Sequence, residues 1–398
     1  MKTFNIVSFD EALEKSVNIV KKENPKEYVS LFQALGRVLA EDITCRKNLP
    51  AFNNSAMDGF AFCHKDLGQT LQIKDTIYAG MIPQASLEDT QCYKIMTGAQ
   101  VPNDVDTIIP FENCVSYDEN EVTLDRKTKK GNALRLKGEE QKEGSVLFEK
   151  GQLVTSSVIA MLASQGISTV GVYKKISIAI FSTGDELKEP WQSATENEIY
   201  NVNSSALLAL LHEHGFQADY CGVIPDNLEQ SIDYFSKMKN YDAIITTGGI
   251  SMGEADFIEA ALKENGLEES FHGINIKPGK PTMMGKMENT LVASMPGNPL
   301  AAFINAFLFL VPALKKLQGN KDYAHQKFLA QNSEEFRVKS GRVNIVLGDL
   351  TDGKFTAFGK NRYGSGMITP IINSNAIFVS SENESQIFEN SYLNIFSF

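Results

Sequence analysis

The sequence predicts a multidomain α/β plus β protein with a central doubly wound α/β domain. Strands alternate with helices from Ile176 to Leu317, and short β-prone runs separated by turns occupy the chain on both sides of that region. The length of 398 residues also exceeds one typical hydrophobic core. Together these observations predict more than one domain around a parallel sheet.

The predicted domain boundaries follow changes in local pattern. Helices are predicted at Ser8–Lys22, Ser30–Leu39 and Ser156–Gln165, with a β-rich stretch between the second and the third. Because the helical pieces on its two sides can pack together, the β-rich stretch is predicted to be an insertion. The predicted domains are a helical or linker domain (1–44 and 139–172), an inserted β-rich domain (45–138), the α/β domain (173–320) and a C-terminal all-β, barrel-like domain (321–398).

Hydrophobic period and turn residues predict the elements of the last two domains. The predicted strands of the α/β domain are Ile176–Phe181, Gln217–Ile224, Ala243–Ile245, Phe271–Ile276 and Thr290–Ser294. Its predicted helices are Ser204–His214, Leu228–Lys239, a helix that includes Phe257–Leu262, and Leu300–Leu317. The predicted strands of the C-terminal domain are Glu335–Val338, Val343–Leu347, Phe355–Phe358, Ala376–Val379 and Tyr392–Phe396.

Composition and charge argue against several classes of function. The net charge of −11 and the sequence pI near 5.1 disfavour broad binding to nucleic acid or anionic membranes. The five cysteines lack Cys-x-x-Cys spacing, which indicates reduced thiols without disulfides or a zinc site. Met1–Asp10 lacks a signal-peptide layout, and the apolar run Ala301–Val311 is about half of a bilayer span. We therefore expect a cytoplasmic protein with no nucleic-acid or membrane partner.

Four predicted strands of the α/β domain end in polar stretches bounded by Gly or Pro. They are Ser182–Glu186, Pro225–Asp226, Thr246–Asp256 and Met295–Pro299, and three of them carry carboxylates. Ligands of open α/β sheets bind beyond the carboxyl ends of the strands. One such end is explained by turn chemistry alone, whereas four in one sheet predict a ligand site.

The stretch Asp242–Asp256 has the pattern of a strand, a Gly/Ser turn and a helix N-terminus. Gly248 and Gly249 allow the backbone to turn without a Cβ penalty, and backbone N–H groups at such a turn form a cradle for anions. Glu254 and Asp256 add candidate cation ligands. The alternative is an ordinary tight turn in which Asp256 only favours the helix N-terminus.

Lys277–Pro281 places two lysines between prolines after the predicted strand Phe271–Ile276. Neighbouring prolines restrict the backbone and so present the two charges in a restricted geometry. The functional hypothesis is an oxyanion clamp, and the alternative is a solvated turn. Carboxylates and lysines at one rim suit a divalent cation with a phosphorylated or oxyanionic substrate.

Two further stretches lie in the β-rich region. Leu49–Ala61 holds small, amide and acidic residues between two aromatic residues, and Ile95–Pro102 follows the pattern of a strand end. Each is also compatible with a plain turn, with Asp58–Gly59 as a tight corner in the first.

The order of these motifs resembles the molybdopterin molybdenumtransferase family, whose enzymes insert molybdenum in the last step of molybdenum cofactor synthesis. Each motif alone is modest, but their joint order along nearly the whole chain is specific. The motifs are Leu49–Ala61, Met96–Pro102, Gly138–Glu140, Ser182–Leu187, Thr247–Asp256, Lys277–Pro281, Met295–Pro299 and Gly364–Met367.

The resemblance implies two substrates, adenylylated molybdopterin and molybdate. It implies Mg²⁺-dependent cleavage of the adenylate, with AMP released as molybdenum enters the dithiolene. It also implies a homodimer whose site lies between the α/β domain of one subunit and the β-rich domain of the other. Handover of substrate from a molybdopterin adenylyltransferase is expected as well.

The resemblance further implies roles for individual residues. The expected catalytic residues are Asp58, Thr97, Glu140, Glu186, Asp226 and Asp256, the first three supplied across the dimer interface. The expected Mg²⁺ ligands are Glu186, Asp226 and Asp256, and the expected molybdate contacts are Lys277, Lys280, Arg342 and Ser365. Apart from the two lysines, the expected substrate contacts are Thr183, Gly184, Asp185, Ser204, Gly248, Gly249, Ser251, Gly253, Pro296, Gly297, Asn298 and Pro299.

Several positions depart from the usual pattern of the family. Asn53 and Glu140 each replace a usual Asp, and Ala301 stands where a Ser often follows Asn-Pro. Gly273 stands where some relatives have Lys, and Leu347 replaces a second Arg of the terminal domain. These departures concern the molybdate contacts more than the overall reaction.

Two other functions share parts of this pattern. A molybdopterin adenylyltransferase has the same type of α/β domain, and activity on molybdopterin plus ATP without a partner protein would favour it. A non-catalytic scaffold with the same architecture is the other alternative. The Ser55–Gly59 region and the terminal β domain favour the molybdenum-inserting enzyme.

Overall fold

The structure is a computed structural model that describes residues 5–82, 86–224, 227–249 and 257–398. The chain forms two compact units. The larger unit comprises the described residues up to Ala40 with Gly151–Ser157 and Thr169–Phe398, and the smaller unit comprises those of Glu41–Lys150 and Val158–Ser168. The four-domain division stays a prediction.

The elements have the following bounds. The helices are α1 (Phe9–Ser16), α2 (Ser156–Ser164), α3 (Val202–Glu213), α4 (Leu228–Lys237), α5 (Phe257–Glu264), α6 (Pro299–Asn305), α7 (Val311–Leu317) and α8 (Thr369–Ile372). The strands are β1 (Lys26–Ser30), β2 (Ile43–Thr44), β3 (Asn54–Ser55), β4 (Gly59–Phe62), β5 (Thr70–Ile77), β6 (Gln91–Ile95), β7 (Thr107–Pro110), β8 (Ser116–Tyr117), β9 (Glu121–Thr123), β10 (Leu134–Arg135), β11 (Val146–Phe148), β12 (Thr169–Tyr173), β13 (Ile178–Thr183), β14 (Leu187–Lys188), β15 (Ile199–Tyr200), β16 (Asp219–Ile224), β17 (Ala243–Thr247), β18 (Leu267–His272), β19 (Ile276–Lys277), β20 (Met283–Met287), β21 (Thr290–Met295), β22 (Phe328–Asn332), β23 (Phe336–Arg337), β24 (Val343–Thr351), β25 (Lys354–Ala357), β26 (Ala376–Val379), β27 (Gln386–Ile387) and β28 (Tyr392–Ser397).

The larger unit is built on a six-stranded sheet in the order β16-β13-β17-β21-β20-β18. The first four of these strands are parallel, and Ser182 pairs with Thr247, which in turn pairs with Met295. Their carboxyl ends therefore lie at one edge, as the sequence predicts. The doubly wound α/β prediction is confirmed.

Alternate residues of each strand enter two separate cores, because successive side chains point to opposite faces of a sheet. Ile180 and Ile245 pack on one face with Leu207 of α3 and residues of α6 and α7. Phe181 and Ile244 pack on the other face with side chains of α4 and α5. Helices on both faces hold the strand ends in place.

The prediction of one continuous strand over Phe271–Ile276 is wrong. The backbone turns at Gly273, with φ +107°, so that β18 ends at His272 and the short β19 starts at Ile276. β18 pairs antiparallel with β20, a strand that the sequence pattern did not predict. The strand pattern was missed because Met283 and Met284 in β20 are not β-branched. Both side chains are buried.

The helix from Pro299 to Leu317 contains a π-helical segment, Ala306–Leu310, between α6 and α7. At 19 residues this helix is longer than the apolar run Ala301–Val311, and by length and composition it could cross a membrane. However, 83% of its most apolar window is buried inside the protein. The apolar composition is therefore that of a core helix.

The amino-terminal predictions were partly wrong. The first helix is only α1, capped by Ser8, whose Oγ accepts from the Glu11 N–H while the Glu11 carboxylate accepts from the Ser8 N–H. The predicted helix Ser30–Leu39 is a 3₁₀ turn at Leu31–Gln33 after strand β1. The end of the segment forms antiparallel β-bridges instead, Val38 with Leu153 and Leu39 with Val172, and these long-range pairings outweigh the local helical pattern.

The smaller unit contains a six-stranded mixed sheet in the order β7-β4-β6-β5-β9-β8. Phe60 and Phe62 of β4 and Leu71 of β5 are buried in its core with Ile109 and Val122. The β-rich character predicted for this part of the chain is confirmed.

The C-terminal part of the larger unit is a closed five-stranded barrel. β24, β25, β22, β28 and β26 pair in that order, and the pairing of β26 with β24 closes the ring. Phe355, Phe378 and Ile395 fill its interior. β19 pairs in parallel with β24, which attaches Lys277 to the barrel edge. The barrel-like prediction is confirmed.

One ion pair at the start of β17 predicts a pH dependence of stability. Asp242 accepts from the Lys22 ammonium, from the Ser177 N–H at 2.7 Å and from the Ser177 hydroxyl at 3.0 Å. Burial alone would raise the pKa of Asp242, but these partners outweigh it and lower that pKa below its usual range. The stabilisation is therefore present above the usual pKa of an aspartate and is lost as the pH falls through the lowered value.

We expect Asp242→Asn to reduce the free energy of unfolding at pH 7 by about 1 kcal/mol and to have a smaller effect near pH 3. Urea unfolding at both pH values measures this. Asp233→Asn is the control, because the Asp233–Lys237 pair is exposed and should contribute little at either pH. An equal loss at both pH values for Asp242→Asn would contradict the assignment.

Candidate active site

The carboxyl ends of β13, β17 and β21 open into a cleft of about 910 Å³. The cleft is bounded by the turns that follow these strands, by β15 and the start of α3, and by a loop of the barrel. Its lining residues are Thr183, Gly184, Glu186, Leu187, Ile199, Tyr200, Asn201, Val202, Asn203, Thr247, Gly248, Gly249, Gly279, Pro281, Pro296, Gly297, Asn298, Pro299, Ala301, Gly366 and Ile368. Of the expected substrate contacts, the structure brings together Thr183, Gly184, Gly248, Gly249 and Pro296–Pro299.

The turn at Gly248 and Gly249, on the floor of the cleft, has no room for a side chain at either glycine. Gly248 and Gly249 have φ of +83° and +64°. A Cβ on Gly248 would lie 2.8 Å from Thr183 Oγ1, and one on Gly249 would lie 2.6 Å from Ile258 Cγ1. Glycine at these positions keeps the backbone of the turn exposed to the cleft, as the sequence predicts for close approach of a ligand.

A buried hydroxyl network lies at the ends of the same strands. Ser182 Oγ bonds with Ser204 Oγ, with Asn201 Oδ1 at 3.1 Å and with Thr247 Oγ1 at 3.2 Å. Ser204 is 2% exposed and does not line the cleft, so its expected contact with substrate stays a prediction. Its hydroxyl is satisfied by the Ser182 hydroxyl, as a buried polar group requires. This contact links α3 to the end of β13.

The two acidic residues after β13 occupy different positions. The Glu186 side chain lines the cleft, and a Cβ on Gly184 would lie 2.7 Å from its Oε2. Asp185 is exposed and is absent from the lining. Glu186 is thus the one carboxylate that the described part of the chain contributes to the cleft.

Four expected site residues fall outside the described residues. They are Asp226, Ser251, Gly253 and Asp256. Their roles rest on the sequence pattern alone.

A second pocket, of about 450 Å³, adjoins the cleft and is lined by three cations. Lys277 is the last residue of β19, Lys280 lies in the loop after it, and Arg342 immediately precedes β24. None of these three side chains has a hydrogen-bond or ion-pair partner among the residues that the structure describes, and no described carboxylate lines the pocket. Ser365 also lines it, so the four expected molybdate contacts meet here.

The loop that carries the two lysines is held by hydrogen bonds to its backbone. Gly279 O accepts from Thr282 Oγ1 at 2.9 Å and from Asn305 Nδ2 at 3.0 Å. Lys280 O accepts from the Ile274 N–H at 2.8 Å. Asn305 is fully buried at the end of α6, and a Cβ on Gly279 would lie 2.0 Å from its Nδ2. The loop is therefore positioned by groups that do not themselves line the pocket.

Asn305→Ala should weaken anion binding in the cationic pocket, because it removes a hydrogen bond that holds the lysine loop. We expect the molybdate concentration for half-maximal activity to rise about five- to tenfold, because a lost buried hydrogen bond costs on the order of 1 kcal/mol and displaces the lysines. Asn265→Ala is a matched control, since buried Asn265 Nδ2 donates to Ile232 O and Ala261 O, both distant in sequence from the loop. It should lower stability without changing the molybdate dependence. The same rise in both variants would contradict the positioning role.

The cleft and the cationic pocket are continuous. Gly279 and Pro281 line both of them. At their boundary Asn298 Nδ2, from the cleft, donates to Ser365 Oγ, from the pocket, at 3.0 Å. A ligand in the cleft can therefore reach an anion held by the lysines.

In the smaller unit, two expected catalytic residues contact each other. Asp58 Oδ1 accepts from the Thr97 N–H at 2.6 Å and from Thr97 Oγ1 at 2.7 Å. These two hydrogen bonds lower the pKa of Asp58, so the carboxylate is charged at neutral pH. Glu140 is exposed, and its N–H donates to Leu49 O at 3.0 Å. The motifs Leu49–Ala61, Met96–Pro102 and Gly138–Glu140 thus lie side by side.

Sequence reasoning missed several residues of the two cavities. Asn203 lines the cleft and donates from Nδ2 to Gly297 O at 2.9 Å. Tyr363 lines the cationic pocket, and its hydroxyl accepts from the Leu347 N–H at 2.8 Å. Burial raises the pKa of Tyr363 to about 12, so its hydroxyl stays protonated. The position of Tyr363 beside the Gly364–Met367 motif was the available signal.

Two family models match the chain. Residues 7–166 match "MoeA N-terminal region (domain I and II)", and residues 179–316 match "Probable molybdopterin binding domain". The two matched segments together cover most of the chain and fall in the order that the motifs predict.

Whole-length relatives have the same organisation. The chain is 31% identical to the molybdopterin molybdenumtransferase of Haemophilus influenzae over 389 residues, which covers 96% of each protein. It is 30% identical to that of Staphylococcus aureus strain COL, covering 94% of this chain and 91% of the relative. Among solved structures, the molybdopterin biosynthesis moeA protein of Pyrococcus horikoshii OT3 superimposes with a TM-score of 0.86 at 26% identity, over 99% of this chain and 100% of that one. With this similarity along its whole length, the chain belongs to the molybdopterin molybdenumtransferase family of enzymes.

Proposed function

We propose that this enzyme transfers molybdenum from molybdate to adenylylated molybdopterin and releases AMP. The observation that carries the proposal is the cationic pocket, where Lys277, Lys280 and Arg342 surround a space without a described carboxylate. In a chain of net charge −11, such a grouping suits a small dianion. The adjoining cleft of about 910 Å³ is large enough for a pterin nucleotide.

The proposed substrate position follows from the shape of the two cavities. The Gly248–Gly249 turn and Pro296–Pro299 would contact the pterin and its phosphates, with backbone N–H groups as donors. The lysines would hold molybdate through charge-assisted hydrogen bonds at the boundary marked by Asn298 and Ser365. Two Mo–S bonds would form as one molybdate oxygen leaves with the two thiol protons as water. A second water molecule would cleave the bond between the two phosphates, so that AMP leaves.

The described donors fit the Mg²⁺ that the family implies. A Mg²⁺ ion at a phosphate usually takes one or two carboxylates and keeps several water ligands. Glu186 presents one carboxylate in the cleft, folded over Gly184. Asp226 and Asp256, outside the described residues, would be the other ligands. When bound, the ion would offset the negative charge of the two phosphates.

We propose a cytoplasmic homodimer as the active form. A second copy of the chain would supply Asp58, Thr97 and Glu140, whose exposed side chains belong to the smaller unit. The Asp58–Thr97 pair would present an ordered carboxylate to the substrate. Adenylylated molybdopterin would be handed over by a molybdopterin adenylyltransferase. No nucleic acid or membrane takes part in this proposal.

The departures from the family pattern are compatible with this function. Ala301 lines the cleft without a hydroxyl, so Ser365 is the nearer candidate to donate to molybdate. Asn53 accepts from the Lys137 N–H at 2.8 Å, a contact that an aspartate would also make. Leu347 is buried in the barrel, where an arginine would be costly. Gly273 forms the turn between β18 and β19.

The decisive experiment supplies adenylylated molybdopterin, molybdate and Mg²⁺ to the purified protein and follows AMP and active cofactor together. We expect the two products to form in equal amounts, with no AMP release when Mg²⁺ is left out. Formation of adenylylated molybdopterin from molybdopterin and ATP would instead identify an adenylyltransferase. Binding of the substrate with neither reaction would identify a non-catalytic scaffold.

A further inference from the structure

A third cavity, of about 350 Å³, lies in the larger unit and shares no lining residue with the cleft or the cationic pocket. Its walls come from the strand-like segments around Val38 and Leu153, from the end of α3 at His214–Phe216, and from α7 and the turn after it. We call it the α3–α7 cavity. Nothing in the proposed reaction uses it.

Positive charge dominates the polar side chains of this cavity. Arg37, Lys175 and Lys315 line it, together with one carboxylate, Asp322. The Arg37 guanidinium is neutralised by Glu27 and also donates to Tyr173 O at 2.7 Å. Lys175 and Lys315 have no hydrogen-bond or ion-pair partner in the described ranges, and Asp322 pairs with neither of them. The exposed Lys175 and the partly buried Lys315 thus line the cavity without an ion pair in the described ranges.

Lys315 is the less ordinary of the two lysines because it is partly buried. Burial lowers its pKa, so the protein stabilises the neutral amine relative to the ammonium. A lysine that only extends its stem over apolar surface keeps its ammonium in water or finds a partner. The adjacent Lys316 does so, since its Nζ donates to Asn18 Oδ1 at 2.8 Å and lies 4.8 Å from the Tyr323 ring.

The neighbouring imidazoles do not compensate this charge. Burial, the Lys315 ammonium and His325 together lower the pKa of His214 to about 4, and burial also lowers that of His325 to about 4. Both rings are therefore neutral at pH 7. His325 Nε2 lies 2.6 Å from Phe307 O, and because that oxygen only accepts, Nε2 carries the proton. The neutral rings supply no counter-charge, and within the described ranges neither of them accepts a hydrogen bond from the Lys315 ammonium.

We propose that the α3–α7 cavity binds a small dianion, a phosphate monoester with a compact apolar body. Lys315 and Lys175 would take the phosphate, and Val38, Leu153 and Phe216 would contact the apolar part. An anion at this position removes the penalty of a partly buried, uncompensated ammonium. The inference concerns a site separate from the proposed reaction and does not depend on it.

Phenyl phosphate is the probe, titrated into the full-length protein by calorimetry and by NMR of the His214 ring. The background is Lys277→Ala/Lys280→Ala, which weakens the other anion pocket. We expect saturable binding with a shift of the His214 resonance, and at least tenfold weaker binding after Lys315→Met. Lys316→Met is the matched control and should bind as the background does.

Urea unfolding tests whether Lys315→Met weakens binding only because it alters the fold. Without the probe, Lys315→Met should unfold at a higher urea concentration than the background, because an uncompensated charge is removed. With saturating phenyl phosphate this advantage should vanish. Binding that leaves the His214 resonance unmoved, or equal affinity for Lys315→Met and Lys316→Met, would overturn the proposal, and so would no binding at all.

Discussion

Lys277→Ala is expected to raise the molybdate concentration needed for half-maximal activity about 10- to 100-fold. The Lys277 ammonium lines the cationic pocket and has no competing carboxylate among the described residues. A hydrogen bond to a charged group contributes about 1.5–3 kcal/mol, which corresponds to that range. The dependence on Mg²⁺ should change much less, because the expected ligand Glu186 lies in the cleft and not in this pocket.

The measurement is AMP release at varied molybdate and at varied Mg²⁺. Lys286→Ala is the matched control, because Lys286 is a partly exposed lysine of the same unit that pairs with Glu268 at 3.0 Å. Its molybdate and Mg²⁺ dependences should equal those of the unchanged protein. A larger change in the Mg²⁺ requirement than in the molybdate requirement of Lys277→Ala would remove the oxyanion-clamp role.

Gly248→Ala should abolish most activity and lower the free energy of unfolding by about 2 kcal/mol. The residue has φ +83°, a region that costs an alanine about 1–2 kcal/mol. Its new Cβ would also lie 2.8 Å from Thr183 Oγ1 and 3.0 Å from Thr183 O. The turn must shift to relieve these contacts, and the shift displaces the backbone donors at the cleft floor.

Gly297→Ala is the control that shows whether any glycine-to-alanine change in the cleft has the same effect as Gly248→Ala. Gly297 also lines the cleft, but a Cβ there would meet only Gly248 Cα, at an ordinary 3.7 Å. Urea unfolding should place Gly297→Ala close to the unchanged protein and Gly248→Ala well below it. AMP release measured in the same samples should rank the variants in the same order. Equal stability of the two variants would show that the Gly248 turn is not constrained as described.

Local sequence signals were most reliable where the residues of a short segment determine its structure without distant partners. The buried runs around Ile180, Ile245 and Val292 are strands, since β-branched residues suit a sheet covered on both faces. Gly248 and Gly249 were assigned to a turn because only glycine adopts positive φ without strain. The helix predicted from Ser8 does start there, because the Ser8 side chain accepts a hydrogen bond from the Glu11 N–H and caps it.

Local signals failed where distant partners decide the outcome. The Ser30–Leu39 stretch has a helical period, yet its end forms β-bridges with residues distant in the sequence, Val38 with Leu153 and Leu39 with Val172. The β20 strand has weak β-propensity and exists because β18 and β21 lie on its two sides. Burial and pairing are long-range properties that residue spacing does not contain.

The sequence by itself determined where the buried strands end, the glycine turn and the presence of two prolyl-flanked lysines, because each depends on neighbouring residues alone. Only the tertiary structure decided which cations form the pocket. Arg342 reaches Lys277 because β24 pairs with β19, and Ser365 reaches Asn298 because the barrel is closed beside the cleft. It also decided that Asn305, absent from every motif, holds the lysine loop. These contacts join segments far apart in the chain, so they form and contribute to stability only when the whole chain is folded.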